Sequence, residues 1–250
     1  MLTERHFKGT FHWPKGIRTA VTLTFDFQGG EDVRPLPDGS MDHEEYTQCE
    51  YGPHTGIWRI LRLLEEEKVK ATFNTCGGIA ERYADAVKAI VDQGHEIAGH
   101  GYHHEVARDL TREQEDDVMR RTGAMIKQRT GHQPIGWRSC TQSANSIELL
   151  MQHGYLWNSN SFSHDLPFVW ESNGRHLIEL PRQLTATAAP TSTATTMPAT
   201  QATRCWSGNR CSIASTASPS QGAPTFHSSS IRTFPAGRGA PKPCRRSFST

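Results

Sequence analysis

Short segments rich in β-branched and aromatic residues alternate with amphipathic segments from residue 19 to residue 158, and this alternation constrains the fold more than any other feature. Thr19–Phe25 predicts a buried strand, Ile57–Leu64 has helical periodicity, and Ala71–Thr75 predicts the next strand. A repeated strand–helix–strand order favours parallel βαβ units, and therefore an α/β fold built as an open sheet or a barrel. Further strands are predicted at 96–98, 134–138 and 155–157, and further helices at 79–93, 111–130 and 143–153.

Polar side chains stand where these predicted strands end. Asp26, Thr75, His100, Arg138 and Asn158 follow five successive strand segments. In parallel α/β sheets and barrels, ligands bind at the C-terminal ends of the strands. The placement predicts an enzyme site at this edge.

A dense histidine cluster, His95–Glu105, contains four imidazoles and two carboxylates in eleven residues. His100 and His104 are four residues apart, so on a helical turn both rings would project from one face and supply half of a tetrahedral metal site. No glutamate lies between them, which argues against the His-Glu-x-x-His metalloproteases. A solvated cluster without a metal is the alternative.

Several segments follow a known pattern in order and spacing: Leu23–Asp26, Glu50–Leu61, Lys70–Phe73, Gly94–His104, Gly136–Ser139 and 145–167. Through these segments the chain resembles the polysaccharide deacetylase superfamily (the NodB-homology fold, carbohydrate esterase family four) over about residues 17–182. The resemblance implies a distorted (β/α) barrel that hydrolyses amide or ester bonds with a metal-activated water. It is strongest to a branch without secretion signals, which includes allantoinase-like and cyclic-imide hydrolases beside peptidoglycan deacetylases.

The resemblance also implies roles for individual residues. His100 and His104 would be metal ligands, Asp26 the general base, and Arg138 the cation that keeps this carboxylate ionised. The resemblance does not identify a third ligand. The family's second aspartate, which supplies that ligand, corresponds to Phe27 here, and the next residue is Gln28. The alternatives are a divalent metal, expected to be zinc, held with Asp26 itself or with Glu31, Asp32 or His43, and a site without a metal.

Other side chains are candidates for contact with a substrate. Glu31, Trp137, His164 and Asp165 are predicted to line the pocket, although packing is the alternative for Trp137. The polar insertion 28–51 is predicted to act as a lid. His103 and Glu105 are expected to orient neighbours or to face solvent.

The composition changes abruptly after Arg182. All 26 Asp and Glu lie at or before Glu179, where 19 Lys and Arg leave a formal charge of −7, whereas residues 180–250 carry eight Lys and Arg and no acid. Thr185–Thr203 consists almost entirely of Ala, Thr, Pro and Ser. We therefore predict a catalytic domain at 1–182 and a low-complexity tail at 183–250, disordered or translated out of frame.

A shifted reading frame explains this tail better than a linker does. Codons compatible with Ser229–Gly237, translated one frame over, encode Leu-His-Pro-His-Leu-Ser-Gly-Arg, which resembles the superfamily's last catalytic motif. The resemblance implies that a histidine of that motif protonates the leaving nitrogen. The sequence as written therefore predicts a barrel that is incomplete at its C-terminal end, with poor folding or little activity.

The predicted function is hydrolysis of a non-peptide carbon–nitrogen bond in a small-molecule or glycan amide. The alternatives are a cytoplasmic cyclic amide, imide or allantoin-type hydrolase, and an inactive truncated homologue. No apolar run follows Met1 and no Cys-x-x-Cys pair is present, so we expect a cytoplasmic protein with reduced thiols and no membrane segment. The scattered cations of the tail predict no nucleic-acid partner, and homo-oligomerisation stays open.

Overall fold

One mixed sheet organises the chain in a computed structural model that describes residues 2–5, 15, 19–33, 35–182 and 210–217. Within these residues nine strands occur in the order β1-β7-β8-β6-β5-β4-β3-β2-β9 across the sheet. The strands are β1 (Thr3–Arg5), β2 (Thr19–Phe27), β3 (Thr72–Thr75), β4 (Glu96–Gly99), β5 (Gly136–Trp137), β6 (Trp157–Asn158), β7 (Phe168–Ser172), β8 (Arg175–Glu179) and β9 (Arg210–Ala217).

The centre of this sheet is parallel. Strands β2 to β5 each pair in parallel with the next strand of the chain, and β6 pairs in parallel with β8. Antiparallel strands flank this centre: β9 pairs with β2, while β7 pairs with both β8 and β1. Within the described residues the sheet ends at β1 and β9 rather than closing on itself. The predicted α/β fold with an incomplete barrel is therefore confirmed.

Six α-helices occur in the described residues and cover the sheet. They are α1 (His43–Tyr51), α2 (Ile57–Glu66), α3 (Gly77–Arg82), α4 (Ala84–Asp92), α5 (Arg112–Thr130) and α6 (Ser146–Gln152). The predicted start of α5 is confirmed, because the Thr111 side chain accepts from the backbone N–H of Gln114, whose side chain caps the Thr111 N–H in return. The single helix predicted over 79–93 is wrong: the backbone of Tyr83 leaves the helical region and divides it into α3 and α4.

Two apolar clusters hold the helices on the sheet. In the first, Ile57, Leu61 and Leu64 form one buried face of α2 and belong to the same cluster as Phe73 of β3 and Ile97 of β4. Their spacing is the helical periodicity that the sequence displays. Full burial of one such side chain contributes about 1.5–3 kcal/mol. The second cluster contains Met119, Trp137, Ile147, Leu149, Leu150, Met151, Tyr155 and Leu177.

The polar insertion after β2 is partly helical. A 3₁₀ turn at Gly29–Asp32 is followed by α1, whose N-terminus is capped by the Asp42 carboxylate, and a π-helical turn at Gly52–Gly56 leads into α2. Cys49 on α1 is part of a disulfide bond, so the expectation of reduced thiols is wrong at this position. Across the described ranges, no helix is both long enough and apolar enough to cross a bilayer.

Candidate active site

The carboxylate of Asp26 occupies the C-terminal end of β2. Neighbouring residues of a strand point to opposite faces, so Phe27 enters the core with 1% of its surface exposed while Asp26 faces the other way. The parallel register places Asn74 of β3 beside Asp26, and the Asn74 Nδ2 donates to Asp26 Oδ1 at 2.7 Å. Arg138 donates to the same oxygen at 3.3 Å.

The guanidinium of Arg138 is a buried centre of hydrogen bonding with 2% of the residue exposed. Besides Asp26, it donates to Thr24 Oγ1 at 2.9 Å, to the Ser159 hydroxyl at 2.9 Å and to the Ser159 carbonyl at 3.3 Å. A buried cation requires such partners, since each missing one leaves an uncompensated desolvation cost. The side chain thereby ties β2 to the segment after β6.

Asp26 is ionised in this environment. Burial alone would raise the pKa of Asp26, but the neighbouring His100 and Arg138 and the hydrogen bond from Asn74 outweigh it and hold the pKa well below its usual range. The role that the resemblance implies for Arg138 in the reaction stays a prediction. A carboxylate of such low pKa is a fixed negative charge and an acceptor of hydrogen bonds, but a weak base.

The two candidate ligand histidines lie in a tight turn after β4. Gly101 and His104 both have positive φ values, of 81° and 53°, so the predicted helical turn is wrong. The Glu105 carboxylate accepts from the backbone N–H groups of Tyr102 and His103, at 2.8 and 2.9 Å, as expected for an orienting residue. The turn still brings the rings of His100 and His104 together, with their centroids 4.8 Å apart.

Both ring nitrogens of His100 have partners. Nδ1 lies 2.5 Å from the carbonyl oxygen of Arg138, and Nε2 lies 3.1 Å from Oε1 of Gln28. Burial lowers the pKa of His100 to about 4, against the opposing attraction of Asp26, so the imidazole is neutral at pH 7. The site therefore combines a fixed carboxylate, a buried guanidinium and a neutral imidazole.

A metal ion would need at least three protein ligands at this edge. Within the described ranges, no three or more His, Cys, Asp and Glu side chains are grouped so that they could hold one. Of the alternative third ligands, Glu31 binds other partners and His43 is exposed on α1, while the side chain of Asp32 lies outside the described residues. The arrangement does not fit the three-ligand metal site that the resemblance implies.

Glu31 is used inside the protein rather than presented to a pocket. Its carboxylate accepts from Arg82 and from His103 Nδ1, the latter at 2.6 Å. Glu50 of α1 accepts from the backbone N–H of Gly30 at 2.9 Å and from the Tyr83 hydroxyl. These bonds fix the turn that follows Gln28, so the predicted substrate contact of Glu31 has a structural alternative.

The other predicted substrate residues are divided between core and surface. Trp137 is 2% exposed and packs on Tyr155 with ring centroids 5.3 Å apart. This contact favours packing, the alternative role given for Trp137, over contact with a substrate. His164 is half-buried, bonds to the Ser163 hydroxyl and packs on Phe168, while Asp165 is exposed. The segment 159–167 begins at the C-terminal end of β6, so it starts at the same edge as Arg138.

Four residues of the site were not identified as such from the sequence. They are Gln28, Asn74, Thr24 and Ser159, and each contacts Asp26, His100 or Arg138 directly. Asn74 precedes Thr75 at a strand end, so it lies one residue before a predicted site position. No sequence signal distinguishes Thr24 or Ser159 from the other hydroxyl residues of the chain.

Comparison with known proteins gives concordant matches. The polysaccharide deacetylase family profile matches residues 46–156. A peptidoglycan deacetylase of Helicobacter pylori is 33% identical over 139 residues, and a peptidoglycan deacetylase-like protein of Gibberella zeae is 29% identical over 134 residues. These alignments cover 55% and 52% of this chain, but only 44% and 40% of the relatives.

Solved structures extend the likeness to the fold. A putative polysaccharide deacetylase from Mycobacterium smegmatis is 28% identical with a TM-score of 0.65, and the match covers 73% of this chain and 65% of that one. Puue allantoinase is also 28% identical, with a TM-score of 0.57 and coverage of 65% and 55%. The profile, the relatives and the solved structures thus agree that this chain is similar to polysaccharide deacetylases over residues 46–156 and in its fold.

Proposed function

We propose that this site hydrolyses the amide bond of an N-acylated amino sugar. The observation that carries the proposal is the buried Asp26 carboxylate, held by Asn74 and Arg138 and set beside the neutral His100 at the C-terminal edge of the sheet. The deacetylases among the relatives support the substrate class. This chain spans less than half of the length of these relatives.

The proposed chemistry uses one water molecule. Asp26 accepts a proton from this water as its oxygen attacks the amide carbon, and the same proton is then passed to the nitrogen as the carbon–nitrogen bond breaks. Asn74 and Arg138 donate to Oδ1, so Oδ2 is the oxygen assigned to the water. Because the low pKa of Asp26 makes it a weak base, we expect slow turnover.

A cyclic amide such as allantoin is a second candidate substrate. The observation that favours it is the match to Puue allantoinase, which equals in sequence identity the match to the Mycobacterium deacetylase. Both reactions break a non-peptide carbon–nitrogen bond, so the same Asp26 chemistry would serve either one. The 28–51 insertion is proposed to close over the smaller substrate.

The test is to incubate the full chain with N-acetylglucosamine oligosaccharides and, separately, with allantoin, and to measure acetate release and ring opening. Asp26→Asn is the test variant, and Asp92→Asn removes an exposed carboxylate of α4 as the matched control. We expect acetate release that Asp26→Asn loses by about 100-fold, within the usual range for loss of a general base. Ring opening without acetate release would select the second candidate. The absence of both products would contradict the proposal.

A second arm uses the alternative reading frame of the codons for 183–250. This version is predicted to contain the Leu-His-Pro motif that would protonate the leaving nitrogen. It is expected to release acetate at least tenfold faster than the chain as written, because proton donation to a leaving group contributes about 10²–10⁴-fold. Equal rates would show that the motif does not contribute.

A further inference from the structure

The amide of Gln28 lies where a metal would have to bind His100. Gln28 is two residues after Asp26, and its Oε1 is 3.1 Å from His100 Nε2. This nitrogen is the one directed away from the protein backbone, since Nδ1 of the same ring is engaged by the Arg138 carbonyl at 2.5 Å. Gln28 therefore contacts the only ring nitrogen of His100 left for an incoming ion.

The tautomer of His100 follows from its partner at Nδ1. A carbonyl oxygen can only accept, so Nδ1 carries the hydrogen, and Nε2 of the neutral ring is then an acceptor with one lone pair. The oxygen and nitrogen of a glutamine amide occupy nearly the same volume, and rotating the amide by 180° presents its NH₂ group to Nε2. The lone pair that a metal requires then accepts a hydrogen bond from Gln28.

We propose that Gln28 is a positioning residue that replaces a metal ion in this site, and that the site binds no divalent cation with the affinity of a metalloenzyme. The amide holds the His100 ring in place from one side while the Arg138 carbonyl holds it from the other. The proposal deepens the proposed function by making Asp26, rather than a metal, the group that activates water. It also accounts for the lack of a grouped third ligand among the described residues.

The geometry allows one substitution at Gln28 to restore a metal ligand. Tetrahedral zinc ligands at about 2.0–2.1 Å from the ion are separated by about 3.3 Å, and the Gln28–His100 pair is separated by 3.1 Å. Glutamate has the shape of glutamine but carries a charged carboxylate. Gln28→Glu would thus place an anionic oxygen near the position of a third ligand, beside His100 and His104, whose rings are already adjacent.

The experiment is calorimetric titration of the chelator-treated full chain with Zn²⁺, using wild type and Gln28→Glu. The variant is expected to bind one ion at least about 100-fold more tightly than wild type, because even the outer partners of metal ligands change affinity by about 10–100-fold. Gln28→Glu with His104→Ala should lose this gain. Gln48→Glu, which adds the same charge on the exposed face of α1, should leave binding as in wild type.

Wild-type binding of one Zn²⁺ within tenfold of the Gln28→Glu affinity would overturn the proposal. A measurement on the wild type alone covers the case in which the variant does not fold. The imidazole ¹⁵N shifts of His100 should report the Nδ1–H tautomer and stay unchanged at equimolar Zn²⁺, whereas a zinc-bound Nε2 signal would refute the proposal. Neither readout uses hydrolysis, so a failed activity assay and a failed metal prediction are separate results.

Discussion

Replacing the buried Arg138 by methionine removes a charge without a large change in side-chain volume. Asp26 would keep Asn74 as a partner but lose its cation, and the hydroxyl groups of Thr24 and Ser159 would lose a donor. Removing one partner of a buried ion pair costs about 3–5 kcal/mol, because the remaining charge is left uncompensated. We expect Arg138→Met to lower the free energy of unfolding by about 4 kcal/mol at pH 7.

The loss should depend on pH in a direction fixed by Asp26. In the wild type the folded-state pKa of Asp26 lies below the ordinary value of 3.8, so its stabilising contribution is present above pH 3.8 and is lost only as the pH falls through the lower folded value. Arg138 lowers the pKa of Asp26 and burial raises it, so the pKa rises relative to the wild type when Arg138 is removed. The carboxylate can then take up a proton, so the deficit of the variant should shrink as the pH falls toward 4.

Urea unfolding followed by circular dichroism, at pH 7 and near pH 4, measures this loss. Arg120→Met is the matched control, since Arg120 is 61% exposed and its pair with Asp117 is worth less than about 1 kcal/mol. Adding Asp26→Asn to Arg138→Met should recover part of the stability, because no buried charge then remains unpaired. A loss under about 1 kcal/mol at pH 7, or an equal loss at both pH values, would refute the reasoning.

Three further predictions concern stability and use the same unfolding assay. Thr111→Ala removes the capping box of α5 and should cost about 1 kcal/mol, and no change would mean that the cap is replaced by solvent. Gly136→Ala places a methyl group 1.9 Å from the ring of Trp157 and should cost about 1–3 kcal/mol or more, whereas a neutral result would show that the ring can move aside. Because the folded-state pKa of His100 is lowered to about 4, wild-type stability should fall by up to about 3 kcal/mol as the pH drops from about 6.5 to 4. His100→Gln should flatten this dependence. An unchanged slope would contradict the lowered pKa of His100.

The elements that position the site were accessible from local patterns. The strand Thr19–Phe25 and the buried face of α2 are visible because β-branched composition and helical periodicity reflect burial directly. Asp26, His100 and Arg138 could be brought together because parallel strands deliver their C-terminal ends to one edge. This logic needs only the order of the strands, which the sequence preserves.

The details between these elements depend on contacts distant in sequence. The turn at His100–His104 is stabilised by the Glu105 carboxylate and by backbone bonds from α3, so a spacing of four residues was misleading as evidence for a helix. The β7–β8 hairpin over 168–179 was not predicted either. The proposed frameshift beyond residue 182 and the proton-donating motif fall almost wholly outside the described residues, of which only β9 belongs to this part of the chain.

Glu31 shows the same limit at the level of a single side chain. Its position in a polar loop near Asp26 suggested contact with a substrate, whereas in the structure it accepts from Arg82 and His103, residues 51 and 72 positions away. Gln28 is the converse case, since a neutral amide carries no obvious signal of chemistry but contacts His100. A residue's type predicts what it can bind, and only the fold decides which partner is present.

The central claim is that Asp26, without a metal ion, activates water at this edge of the sheet. The most direct measurement is acetate release from N-acetylglucosamine oligosaccharides by the full chain in the presence of excess chelator, with wild type and Asp26→Asn compared side by side. We predict slow release that the chelator leaves unchanged and that Asp26→Asn lowers by about 100-fold. Release that stops with the chelator and returns with Zn²⁺, or that is as fast in Asp26→Asn as in wild type, would contradict this claim.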